Sequence, residues 1–256
     1  MTISVGTDQP TDPDLIRCLA SARFVVVLTG AGVSAESGVP TFRDAQQGLW
    51  AHHDPMQLAS PEGFARDPKL VWDWYRWRRK LIAETSPNHG HLALAALARH
   101  VAKLVLVTQN VDGLHQLAGS ERVVELHGNI QRSICSTTRR LIAEEWLREH
   151  AEHTPVPSPH HPQGLARPDV IWFGESLHEA VLGKAFAAAQ DCDLIIVAGT
   201  SGVVHPAASV PVVAIEHGAR MIEINPVETE LTRLADWHLV GPSATWLPRL
   251  VEHVAH

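Results

Sequence analysis

Along the chain, unbroken apolar runs alternate with stretches whose apolar residues recur every three or four positions. Residues 24–28, 103–108 and 193–198 are short, rich in valine, leucine and isoleucine, and bounded by polar or glycine positions. Each predicts a strand buried on both faces, the pattern of a parallel sheet. Residues 123–127, 212–215, 221–224 and 237–240 predict further strands, the last of them a short edge. Helical spacing puts Leu15, Cys18 and Leu19 on one face over residues 14–22. Residues 61–85 predict a helix crowded with Trp72, Trp74, Tyr75, Trp77 and Arg78, and Ser86-Pro87-Asn88 ends it and restarts an alanine-rich helix over 91–100. A charged helix is predicted over 141–151, followed by a Pro/His-rich stretch at 155–163, and a closing helix over 244–254. Residues 1–13 are polar and are expected to fray, while 45–59 have no clean period and predict loop with a short helix.

Strands alternating with helices imply an α/β fold with a parallel sheet covered on both faces. Its 256 residues and 45% hydrophobic content suffice for one large domain with a small satellite. A net charge of −7 argues against nucleic acid or an anionic membrane surface as the main partner, but leaves room for a basic peptide. No apolar stretch approaches the ~20 residues of a membrane span. The first fourteen residues lack Lys, Arg and a long apolar run, which predicts no secretory leader and a cytoplasmic location. Three scattered cysteines, Cys18, Cys135 and Cys192, do not make a disulfide framework.

The first buried run leads into Thr29-Gly30-Ala31-Gly32-Val33-Ser34-Ala35-Glu36-Ser37-Gly38-Val39-Pro40-Thr41-Phe42-Arg43-Asp44. A strand followed by a glycine-rich turn is where a doubly wound protein holds a dinucleotide, because residues without Cβ let backbone N–H groups approach a diphosphate. This string resembles the first signature of the sirtuins, the NAD-dependent protein deacylases. Four further segments agree in order: Thr108-Gln109-Asn110-Val111-Asp112-Gly113-Leu114-His115, then Leu126-His127-Gly128, then Arg167 to Glu175, then Gly199-Thr200-Ser201 with Ile224-Asn225-Pro226.

The resemblance implies a Rossmann-like large domain, from about residues 1–40, 86–130 and 170–256, and a smaller domain built from insertions at about 41–85 and 131–169. It implies NAD as cosubstrate and an acyl-lysine protein or peptide as substrate, with the chain a monomer or weak oligomer. His127 would be the base that deprotonates a ribose hydroxyl after the acyl oxygen has displaced nicotinamide, a task suited to a group titrating near neutrality. Asn110 would orient the nicotinamide ribose and a water. Gly30, Ala31, Gly32, Ser34, Thr41, Phe42, Arg43, Gln109, Asp112, Gly199, Thr200, Ser201, Asn225, Pro226 and Ala244 match nucleotide-facing positions. Ala59, Val170, Trp172, Phe173, Gly174, Glu175 and Val203 match a groove in which an extended peptide adds as a strand; Trp172 reads equally as a core aromatic.

Tyr75 and Arg78 stand at i and i+3, one face of a helix. A guanidinium beside a phenol suits the carboxylate of a succinyl or malonyl group; the alternative is a solvated basic face. The resemblance fails at one place. Sirtuins usually hold a structural zinc with two Cys-x-x-Cys pairs, and here Cys135-Ser136-Thr137-Thr138 keeps one thiol, while Pro159 and Pro162 occupy the second region. Zinc is therefore expected to be absent, the alternative being a replacement site of Cys135 with His150, His153, His160 or His161. The leading function is NAD-dependent lysine deacylation with preference for acidic acyl groups. The rivals are mono-ADP-ribosyl transfer and a non-catalytic NAD-binding module.

Overall fold

The computed structural model describes residues 2–39 and 54–254, so Thr41, Phe42 and Arg43 lie outside the described residues. The strands are β1 (Ile3–Gly6), β2 (Phe24–Thr29), β3 (Lys103–Thr108), β4 (Val123–Glu125), β5 (Gly128–Cys135), β6 (Leu141–Ile142), β7 (Ala166–Val170), β8 (Leu194–Ala198), β9 (Arg220–Asn225) and β10 (Trp237–Val240). The helices are α1 (Pro13–Ser21), α2 (Ala31–Ala35), α3 (Pro55–Leu58), α4 (Pro61–Arg66), α5 (Pro68–Ala83), α6 (His89–Leu97), α7 (Leu114–Leu117), α8 (Glu144–Glu149), α9 (Glu179–Asp191), α10 (Ser209–Glu216) and α11 (Ser243–Glu252).

Seven strands form one sheet in the order β1-β10-β9-β8-β2-β3-β4, with every pairing parallel. The fully buried β2 and β8 lie side by side at its centre. One core layer packs α1, α6 and α11 on the sheet through Leu15, Leu94, Trp246 and Leu250; the opposite layer packs α9 and α10 through Ala185, Ala189 and Val210. From β2 the chain moves outward through β3 and β4, and from β8 it moves the other way, so the order reverses between β2 and β8. Ligands of such sheets bind beyond the strands' carboxyl ends at this reversal. No helix among the described residues is long and apolar enough to cross a membrane.

The smaller unit pairs β6-β5-β7 as an antiparallel sheet against α5. Its core holds Phe64, Val71, Trp74, Tyr75, Ile130 and Trp172. A satellite cluster of Trp72, Cys135, Ile142, Val156 and Ala166 is covered by Trp146 and Leu147. The register of β5 against β7 slips between Asn129 and Ser133. Arg79 fills the slip, donating to the carbonyls of Ile130 and Arg132 and to Ser133 Oγ.

Several expectations are corrected. Residues 212–215 are not a strand but the middle of α10: Val210, Pro211 and Ala214 face the core at helical spacing. A four-residue apolar run cannot separate strand from buried helix; the stop signal lay in Gly218, whose φ of +93° ends the helix. The amino end is not frayed, because β1 joins the sheet beside β10, whose strand is therefore internal and not an edge. Only Val5 of β1 is buried, which is why the segment looked polar. Residues 61–85 divide into α4 and α5 at Asp67, which caps α5 through Leu70 N–H. The predicted charged helix shortens to α8, because Leu141 and Ile142 pair with β5.

Candidate active site

The sheet brings Gly30–Ser34, Gln109–Asp112, Gly199–Ser201 and Asn225 together beyond the carboxyl ends of β2, β3, β8 and β9. Two turns touch there by backbone alone. Gly30 N–H donates to Ala198 O at 3.0 Å and Gly32 N–H to Gly199 O at 2.8 Å. A Cβ on Gly30 would stand 2.7 Å from Gly199 O, and one on Gly32 2.8 Å from Gly199 Cα. These positions must be glycine, and the closeness keeps side chains away from the floor on which a diphosphate would lie.

Asn110 is buried and its Nδ2 donates to Gly30 O and Ser34 Oγ, both at 3.0 Å, while its N–H donates to Thr108 Oγ1. The side-chain oxygen of Asn110 is left as the acceptor. Gln109 Nε2 donates to Thr200 Oγ1 at 2.9 Å, and Asn225 Nδ2 to Thr200 O at 2.8 Å, so the loops after β3, β8 and β9 are tied to one another. Asp112 turns one carboxylate oxygen to Leu114 N–H. Ser201, Pro226 and Val203 are exposed at the rim. Ala244 sits in the first turn of α11, where its N–H and Ser243 Oγ donate to the carboxylate of Glu36; its backbone N–H is thereby committed inside the protein.

His127 lies between β4 and β5, with Nδ1 2.9 Å from Gln109 O. A carbonyl only accepts, so Nδ1 carries the proton and Nε2 is the basic nitrogen. Burial lowers the pKa of His127, against the opposite pull of the Gln109 hydrogen bond. Ile171 N–H donates to His127 O, which joins the base to the segment following β7. At Gly128, φ is +81° and a Cβ would collide with Asp169 O, so the residue after the base is fixed as glycine.

Beneath Asn110 and Ser34 lies a pair the sequence reading left without a role. His115 Nε2 is 2.9 Å from Thr29 Oγ1, which donates to Thr108 Oγ1; His91 Nε2 is 3.4 Å from Ser34 Oγ; the two rings are 4.7 Å apart. Burial and then the neighbouring His91 push His115 down to about 3, and burial lowers His91, so both imidazoles are neutral. The signal for His91 was its position three after the helix cap Asn88, whose N–H donates to His91 Nδ1.

The expected substrate residues separate. Trp172 is only 3% exposed, packs with Phe64 and Tyr75, and donates from Nε1 to Tyr75 Oη at 2.9 Å; its ring is core, not groove lining. Val170 and Ala59 are buried, and Phe173 N–H donates to Ala59 O. Phe173 itself is exposed, beside Gly174 at φ +85°. Glu175 accepts from Trp172 N–H and from Arg167. Burial raises the Tyr75 phenol to about 12, which keeps it protonated. Arg78 is half-buried on the same face of α5, close enough to Tyr75 and Asp112 for both to act on its charge, although burial dominates and lowers its pKa. Among the described residues it makes no ion pair.

Around Cys135 the residues do not fit a tetrahedral metal centre. The thiol is buried against Gly164, where a Cβ would come within 2.8 Å of Sγ, and receives Thr138 N–H. Burial pushes this thiol up, but hydrogen bonds from Ser158, Thr138 and Thr137 outweigh it and bring it to about 7. His150 stacks on Trp146 and bonds its carbonyl, His153 pairs with Glu152, His160 bonds Leu141 O, and His161 accepts from Gln163 N–H. Among the described residues no three His, Cys, Asp or Glu side chains converge to hold a metal ion.

The family model described as "Sir2 family" matches residues 30–206. NAD-dependent protein deacylase 1 of Pseudomonas aeruginosa is 48% identical over 241 residues, which cover 93% of this chain and 96% of that protein. A solved structure of a Sir2 homologue in complex with NAD aligns with a TM-score of 0.89 at 42% identity, covering 100% of this chain and 96% of that one. A Sir2 protein bound to a myristoylated histone peptide aligns at 0.75 and 32% identity, covering 94% of each.

Proposed function

The chain belongs to the Sir2 family, and on that premise we propose that it is an NAD-dependent protein-lysine deacylase, with NAD held over the Gly30/Gly32–Gly199 contact. The observation that carries the reading is the His127 imidazole, with one nitrogen pinned as a donor by Gln109 O and the other left basic. A module that only bound NAD would have no use for a base so held. NAD supplies the electrophilic ribose carbon and the leaving group. On the protein's side, Asn110 and Ser34 fix the floor next to the reacting ribose, the glycine turns admit the diphosphate, and Asn225 and Gln109 hold the loops that face adenosine. His127 Nε2 takes up the hydroxyl proton. Mono-ADP-ribosyl transfer would use the same nucleotide site but would need no such base.

Within this reading the preferred acyl group ends in a carboxylate. Arg78, a cation without an ion pair among the described residues, stands beside a phenol that is protonated at neutral pH, so a carboxylate would find a charged donor and a neutral one. A peptide carrying succinyl-lysine and its acetyl twin, followed by mass spectrometry with and without NAD, test both levels. NAD-dependent loss of succinyl ahead of acetyl is expected. Arg78→Met should lower kcat/KM for succinyl-lysine by about 100-fold, a charge-assisted hydrogen bond's worth, and leave acetyl-lysine nearly unchanged. Equal losses on both peptides would refute the acyl assignment.

We infer that packing of Trp72, Trp146, Ile142 and Val156 around Cys135 braces the small domain where sirtuins usually hold a metal. Protein purified without added zinc should contain far less than one zinc per chain by elemental analysis; a stoichiometric ion would overturn this.

A further inference from the structure

Arg139 has the one positive φ (+59°) of any non-glycine among the described residues. It closes the turn after β5, where its N–H donates to Cys135 O and Cys135 N–H donates to Arg140 O. Glycine or asparagine would fit this conformation with less strain. What arginine adds is reach. Its Nη1 donates to Glu175 Oε1 at 3.0 Å and its Nη2 lies 3.4 Å from His178 Nε2, the residue just ahead of α9. The turn of the small domain is thus clasped to the segment running into the large one.

Glu175 is the hub of that clasp. Arg167, 5% exposed at its side chain, grips it with both nitrogens at 2.7 and 2.9 Å, lays its guanidinium 3.3 Å from the centre of the Trp172 ring and donates to Val170 O. Glu175 Oε2 also receives Trp172 N–H, and Glu175 N–H donates to Trp172 O. The turn 172–175 that displays Phe173 and Gly174 is therefore closed by backbone and side chain together, and then tied outward by Phe173 N–H to Ala59 O, by Trp172 Nε1 to Tyr75 Oη and, from the turn after β5, by Arg139. Arg167 holds the turn's shape, since its three partners, Val170, Trp172 and Glu175, all lie between residues 170 and 175. Arg139 comes from outside and ties the turn to the end of β5.

We propose that Arg139 is a positioning residue for the peptide: it fixes the Phe173–Gly174 turn relative to His127, so that a small domain without a metal staple still presents a set groove. This rests on the deacylase reading above. A strained backbone kept for the sake of its side chain is the mark of such a role.

The test uses Arg139→Gly, which relieves the backbone and deletes the guanidinium, and Arg139→Lys, which keeps a cation without the fork. Steady-state kinetics would be run against acyl-lysine peptide and against NAD, with thermal melting alongside. Arg139→Gly should raise peptide KM by about fivefold or more, with kcat and NAD KM within about twofold and a melting temperature equal to or above the parent. Arg139→Lys should recover part of the lost KM. Peptide KM unchanged in an active Arg139→Gly enzyme would overturn the proposal, as would a rise accompanied by a lower melting temperature and a matching rise in NAD KM. A parent enzyme that removes no acyl group would instead count against the deacylase reading itself.

Discussion

His127→Ala is expected to lower deacylation kcat by about 10²- to 10⁴-fold, the span of a lost general base, while NAD affinity stays within about twofold. His127 meets the protein through Gln109 O and its own backbone, so its loss removes a proton acceptor without dismantling the glycine floor. Nicotinamide release in a single turnover should outlast deacylation, because departure of that group needs no base. The pH profile gives a second check. A base works in its neutral form, and burial holds the His127 pKa below the ordinary histidine value. As pH falls, the acid limb of kcat/KM, which reports the free enzyme, is therefore expected below about 6.5. An acid limb at or above that value would mean that another group is titrating.

Gly199→Ala is expected to be the most damaging change to nucleotide binding. Gly199 has φ +60°, and a Cβ there would lie 2.5 Å from Val33 N and 2.8 Å from Gly32 C. These are backbone atoms of the opposing turn, so no side chain can move aside. Strain and displacement together should destabilise the fold by about 2–4 kcal/mol and weaken NAD binding by about tenfold or more, read by urea denaturation and calorimetric titration. Gly183→Ala is the control. It sits in α9 with nothing within 4 Å of a new Cβ, and alanine there should stabilise by up to about 1 kcal/mol. Equal effects of the two substitutions would mean that the glycine contact is not what shapes the site.

The parallel sheet was legible because its central strands are buried on both faces and so are written as pure apolar runs. The glycine turn at Gly30 was legible because it follows such a strand; His127 was singled out by the resemblance of Leu126-His127-Gly128 to a sirtuin segment, since one histidine among 17 carries no signal of its own. What was not legible has common causes. Strand β1 buries one side chain and leaves no apolar signature; its place comes from pairing with β10, 234 residues further along at Ile3 and Trp237. Strand β5 carries a bulge that breaks its alternation, and the arginine that heals it, Arg79, comes from a different helix. Trp172 could be groove or core from its residue type alone; the hydrogen bond to Tyr75 and the contact with Arg167 decide it. The His91–His115 pair and the Arg139–Glu175 clasp join positions far apart in the chain, and a single sequence records no such distances.

The margins of the large sheet carry a consequence for self-association. One margin is β1, with four residues, and the other is β4, with three. Glu125 at the end of β4 is further engaged by Gln116, Asn129 and Arg132. Margins this short offer little template for another copy to extend the sheet. Under the deacylase reading, a protein that takes its peptide as an added strand has to refuse strand addition elsewhere. Here the refusal is built into strand length: even a chain lacking residues 2–6 would end its sheet on β10, Trp237-His238-Leu239-Val240, which is also four residues long and would offer no longer template.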